Sequence, residues 1–257
     1  MKNILAIAAK DLRSQFVSPI GYVVLTGFVL LGGWFFFNML ARFTFLLNLY
    51  LNMRNAEGMQ NLNLNDFVIG PLLQNLSVVL VILVPIITMR SFAEEKRSGT
   101  YELLMTSPIS VTQIVAGKFL GAFVFVLLMV LLTGVYPLIL FLFGNPEAGV
   151  TLSGFLGLLL MATAFVAVGL LTSSFTDNQI IAAVSCLVTL LLLWLISWPA
   201  ETAGPTMGAI LKYLSITEHF GQLVRGVIDT SDLVYFASLI LLALFLTQRS
   251  VESLRWR

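Results

Sequence analysis

Six apolar stretches constrain this chain more than any other feature. They run over 20–40, 71–89, 115–143, 152–172, 179–198 and 233–247, and five of them contain no Asp, Glu, Lys or Arg. The third holds Lys118, at what reads as its first turn, where a long side chain can reach an interface. A membrane helix needs about 20 apolar residues. The pattern therefore predicts an all-α polytopic membrane protein with six transmembrane helices, in one domain over 1–257. Pro137 predicts a kink in the third helix. Composition agrees: 58% of the 257 residues are hydrophobic and 11% charged, against about 45–50% and about 25% in soluble domains. A net charge of +1 excludes a basic nucleic-acid binder. One Cys excludes a disulfide framework, and one His excludes a multi-His metal centre within one chain.

The first 18 residues do not read as a cleavable signal. Lys10 and Asp11 interrupt the apolar run Ile4–Ala9, whereas a signal core needs about 7–15 residues. At helical spacing Ile4, Leu5, Ala8, Leu12 and Phe16 share one face, and Lys2, Lys10, Arg13 and Ser14 the other. That is the pattern of an amphipathic helix in the membrane interface, or of a short extension without membrane contact.

Charge sets the orientation. With the N-terminus inside, the inner segments 1–19, 90–118, 173–178 and 248–257 carry 10 of the 14 Lys and Arg, and the outer segments carry Arg42, Arg54, Lys212 and Arg225. The positive-inside rule then puts both termini in the cytoplasm. Two outer loops are long. Residues 41–70 are Asn-rich and polar. In 199–232, Ser215 and Glu218 have capping-box spacing, and Phe220, Leu223, Val224 and Val227 follow at helical spacing. They predict a short helix over 216–228, ending near Asp229, which either dips into the outer leaflet or lies on the surface.

The cytoplasmic loop between the second and third helices is the most informative segment. The second helix can continue through Lys96, with Gly99 as a left-handed cap. Thr100 can cap a new short helix with Glu102 in its first turn, showing Leu103, Leu104 and Met105 and stopping before Pro108. Ser110 and Gln113 then form a second capping box, with Ile109 and Ile114 at hydrophobic-staple positions. Such a helix at a membrane exit either docks a soluble partner through its Leu face or is a solvated connector.

Arg90, Glu94-Glu95-Lys96-Arg97, Gly99-Thr100, Glu102-Leu103-Leu104, Pro108 and Gly117-Lys118 resemble the motif of ABC-2-type transporter permeases. Ser18-Pro-Ile-Gly-Tyr, Ser215-Ile-Thr-Glu-His-Phe, Arg225-Gly-Val-Ile-Asp-Thr and Asp232 resemble the gliding-motility, GldF-like branch of that family. The resemblance implies a permease subunit of the bacterial inner membrane that pairs with a second permease chain. Two cytosolic ABC ATPase chains would bind beneath the pair, and a membrane-anchored auxiliary subunit accompanies related systems. It also implies that Arg90, Glu94, Glu95, Arg97, Gly99, Thr100, Glu102, Leu103, Leu104 and Pro108 couple the ATPase to transport, with export the expected direction.

No chemistry of its own is visible. Gly117-Lys118 lacks the upstream Gly and the following Ser or Thr of a phosphate-binding loop, so ATP is expected on another chain and no cofactor on this one. No H-E-x-x-H or G-x-S-x-G occurs. His219 reads as an ordinary polar residue, Cys186 as packing, and the Gly117/Gly121 pair as a site of close helix approach. The helix interiors hold no carboxylate, which argues against ion-coupled transport and fits a bulky or lipidic cargo moved by force from outside the bilayer. A purely structural membrane anchor is the remaining alternative.

Overall fold

A computed structural model describes residues 2–53, 62–101 and 109–255. They are helical, with no strand among them. In chain order the helices are α1 (Lys2–Val17), α2 (Pro19–Asn52), α3 (Gly70–Thr88), α4 (Arg90–Arg97), α5 (Val111–Thr133), α6 (Val135–Phe143), α7 (Ala148–Phe175), α8 (Gln179–Leu195), α9 (Pro205–Leu214), α10 (Ile216–Val224) and α11 (Thr230–Arg255). A π-helical turn, Asn65–Ile69, precedes α3, and a 3₁₀ turn, Trp198–Glu201, follows α8. Six helical stretches are long and apolar enough to cross a membrane: Pro19–Asn52, Asn65–Arg97, Val111–Phe143, Ala148–Phe175, Gln179–Ala200 and Thr230–Ser253.

α7 is the hub. It has no ionisable side chain and is apolar all round, the composition of a fully enclosed helix. In its most apolar window 72% of residues are buried, against 17% for Gln179–Ala200 and 28% for Pro19–Asn52. α3, α5, α8, α10 and α11 all pack on it. Small residues let them approach: a Cβ at Gly169 would overlap the Thr88 side chain of α3, and one at Gly157 would lie 2.8 Å from Leu223 Cβ of α10. α2 and α8 keep broad apolar faces outward, including Trp34, Phe37, Ile181 and Leu192.

Several expectations are met in detail. Ser110 and Gln113 form a reciprocal capping box at the start of α5. The third span breaks at Gly134, between α5 and α6. Pro137 accounts for the break, because its ring collides with the carbonyl four residues earlier, at Thr133.

Others are corrected. The first span continues to Asn52, so the outer loop is shorter than 41–70; the apolar residues Leu46, Leu47, Leu49 and Leu51 continue the helix. The sixth span gains length at both ends. α10 stops at Val224, not near Asp229, because Gly226 turns the chain with φ 86°. The Ser215–Glu218 capping box does not form, since the Ser215 hydroxyl pairs with Thr217 Oγ1 at 2.7 Å instead. α10 buries Ile216, Phe220 and Leu223, and Ser153 of α7 donates to the Leu223 carbonyl at 2.8 Å. α9, which precedes it, was not anticipated. Its signal was Pro205 at the first helical position.

α1 lies across α5, and the Gly117/Gly121 pair is its seat. A Cβ at Gly117 would come within 2.7 Å of Ile7 Cβ, and one at Gly121 within 2.9 Å of Asp11 Cβ. Gly117→Ala should therefore destabilise the folded chain by about 1–3 kcal/mol, the usual cost of overpacking. Gly149→Ala, where nothing lies within 4 Å, should cost nothing measurable. Thermal unfolding of the two variants in detergent tests the contrast, and equal midpoints would refute this account of the seat.

Candidate coupling site

The second span is interrupted at Met89, between α3 and α4. The interruption frees backbone groups, and a side chain from another helix satisfies them. The Ser173 hydroxyl of α7 accepts from the N–H groups of Phe92 and Ala93 and donates to the Met89 carbonyl, all at 3.1 Å. Lys96 donates to the neighbouring Ser174 carbonyl. α4 is thus fastened along its length to the end of α7.

Its opposite side faces a charged cluster. Lys118 projects from the second turn of α5 and is 1% exposed. The expectation that it reaches the interface is wrong: α5 begins at Val111, and α1 and α4 close over the side chain. Nζ donates to the Ser91 carbonyl at 2.6 Å. It also lies 2.8 Å from Glu95 Oε2, 3.7 Å from Asp11 Oδ2 and 5.0 Å from the centre of the Phe92 ring. The Glu95 contact is an ion pair without hydrogen-bond alignment, since Oε2 has no hydrogen-bond partner. Lys10 reaches the other Glu95 oxygen at 3.2 Å, but its side chain is 66% exposed and water screens that pair.

Burial raises the Asp11 carboxyl above its ordinary range, and the Lys118 charge opposes the shift without reversing it. A raised carboxyl means that ionising Asp11 works against folding. Protonating it on acidification therefore removes no stability.

Arg90 joins α4 to the start of α2, donating from Nη1 to Ser18 Oγ at 3.0 Å. Gln15 of α1 donates to the Ile87 carbonyl at 3.3 Å. Gly99 ends α4 with φ +70°, the left-handed cap expected of it. Beyond it, Tyr101 donates to the Val251 carbonyl of α11 at 3.4 Å. Burial, with Glu95 nearby, pushes the Tyr101 phenol up to about 12, so it keeps the proton it donates.

Among the anticipated residues, Arg90, Glu94, Glu95 and Thr100 line one open cavity of about 500 Å³, together with Lys10, Asp11 and Lys118. Glu94, Arg97, Gly99 and Thr100 are exposed, whereas Glu95 turns inward. Glu102, Leu103, Leu104 and Pro108 lie outside the described residues. Sequence reasoning missed Asp11, Ser18, Ser173 and Ser174. Its one available signal was a pair of serines at the end of an otherwise apolar span. Among the described residues no His, Cys, Asp and Glu cluster is fit to hold a metal. Residues 94–101 are bonded to α1, α5, α7 and α11, and Arg90 at the start of α4 is bonded to the N-cap of α2.

Lys118 holds this arrangement together. Lys118→Met should destabilise the chain by about 3–5 kcal/mol, because two mostly buried carboxylates lose their cation. Glu95→Gln in the same chain should restore part of the loss. A double-mutant cycle on thermal unfolding measures the coupling, and strict additivity would show that the pair carries no energy.

Compared with protein families, residues 5–248 match the model described as ABC-2 family transporter protein. The comparison with curated proteins returned no match.

Proposed function

The chain belongs to the ABC-2 transporter family as a membrane permease subunit, and from that premise we propose how it works and with what. It is a single-domain permease that pairs with a second copy and carries a dimer of cytosolic ABC ATPases. It has no catalysis of its own and moves a bulky or lipidic cargo outward. The resemblance to the GldF-like branch supports a membrane-anchored auxiliary subunit. The charge distribution supports a plasma-membrane orientation with both termini in the cytoplasm. α1 then lies at the inner interface and α9 at the outer one.

The observation that carries this reading is the fastening of α4. Its exposed residues Glu94 and Arg97, with the following Leu103 and Leu104, form the docking face for the ATPase. Its inner side is bonded to Ser173 of α7, Lys118 of α5 and Ser18 at the N-cap of α2. ATPase closure pushes the docking face, and the bonds pass the displacement to α2, α5 and α7 as a rigid-body shift. A membrane anchor needs the docking face but not the bonds behind it.

That difference separates the two readings. Leu104→Ala and Glu94→Lys should reduce co-purification of the ATPase, and losing one interfacial anchor at about 2 kcal/mol is about thirtyfold in affinity. Ser173→Ala leaves the docking face intact, so the ATPase should still bind while its stimulation in liposomes falls. Normal stimulation in Ser173→Ala would favour the anchor. The purified permease alone should hydrolyse no ATP.

Orientation is tested by cysteine labelling, with little background because Cys186 is buried. Cysteines introduced at 98 and 253 should react only from inside, and at 60 and 210 from outside. Labelling of 98 in intact cells would overturn the topology.

A further inference from the structure

His219 and Asp232 meet at the end of the bundle away from the termini. His219 is 6% exposed and Asp232 1%. His219 Nδ1 lies 2.6 Å from Asp232 Oδ1, and Nε2 lies 2.9 Å from the Tyr213 carbonyl oxygen. A carbonyl oxygen only accepts, so Nε2 carries a hydrogen. At 2.6 Å, Nδ1 and Oδ1 cannot oppose one another with two lone pairs, so a second proton lies between them. The pair therefore holds one proton more than a neutral imidazole beside a carboxylate.

We propose that His219 and Asp232 are a buried binding site for a single proton, and that its occupancy fastens α9 and α10 to the sixth span. The surroundings fit one proton and no other number. With the proton on the ring, the imidazolium stacks on Tyr235, centroids 4.0 Å apart and planes 19° apart, a geometry that favours a cation. Removing the proton sets two lone pairs against each other in a site with little solvent access. Adding another puts a hydroxyl on Asp232 Oδ2, a buried atom without a hydrogen-bond partner.

The same groups tie the segment down. Tyr235 of α11 donates to the Leu214 carbonyl at 2.7 Å, beside the Tyr213 carbonyl that His219 holds. Asp232, Tyr235, His219 and the 213–214 backbone thus form one network across three helices. The titratable groups facing the pair are Tyr213, 5.6 Å from the imidazole centroid, and Tyr235. α3 and α7, which pack on α10, carry no ionisable side chain, and α8 carries only Cys186. Glu218 of α10, Lys212 of α9 and Asp229 before α11 are exposed. No neighbouring charge supplies a substitute for the proton. The inference does not depend on the transport reading.

His219 is the only histidine in the chain, so the full-length protein labelled with ¹⁵N-histidine in lipid nanodiscs gives one pair of ring nitrogens to observe. The wild-type ring should show Nε2 protonated and Nδ1 sharing a proton with Asp232. Asp232→Asn should abolish that state. It should also make the bonds after Lys212 and Arg225 severalfold more sensitive to trypsin. A wild-type ring that shows a bare Nδ1 would overturn the proton site. Equal trypsin rates in the two proteins would overturn the fastening. If Asp232→Asn does not accumulate, the wild-type spectrum still decides the first point, and Asp232→Glu, which keeps the carboxyl, should retain both the ring state and the protection.

Discussion

A full positive charge at Lys118, almost wholly out of solvent, is a costly thing to place inside a helical bundle. It persists because α4 supplies Glu95 and the Ser91 carbonyl, and α1 supplies Asp11. The dependence runs both ways. α1 sits on α5 at Gly117 and Gly121, one helical position before Lys118 and three after it. The seat and the charge are adjacent parts of one contact: the glycines set how closely α1 approaches, and the ion cluster sets its register. α4 is then fixed on its other side by Ser173. α1, α4, α5 and α7 meet at that cation and that hydroxyl, while Arg90 and Tyr101 add the bonds to α2 and α11.

Features that depend on neighbours in sequence were legible in the chain. The Ser110–Gln113 capping box, the positive φ at Gly99 and the break ahead of Pro137 all arise within one or two turns. So did the six spans, whose hydrophobicity needs no partner to be recognised. Features that depend on tertiary contact were not. Lys118 reads as a snorkelling residue until α1 is known to lie over it. Asp11 looks like a solvated charge, and Ser173 like an unremarkable end of a span. The Ser215–Glu218 pair shows the converse failure: the spacing is right, but Thr217 offers the hydroxyl a nearer partner.

His219 belongs to the second class. Its sequence context suggests an exposed polar residue on a surface helix, because Asp232 is 13 residues away across a turn. Only the packing of α10 on α7, permitted by Gly157, turns that face inward. The absence of carboxylates from the helix interiors holds for the middle of the spans but not for the first turn of α11.

The helix interruption at Met89 has a consequence for biogenesis. α3 and α4 are synthesised well before Ser173, which lies more than eighty residues downstream. Until the fourth span arrives, the Phe92 and Ala93 amides and the Met89 carbonyl lack the hydroxyl that joins them. α4 therefore gains these tertiary bonds only late in translation, and a ribosome stalled between the third and fourth spans would present it without them. The final packing of this surface is thus tied to the chain being threaded at least four times through the bilayer.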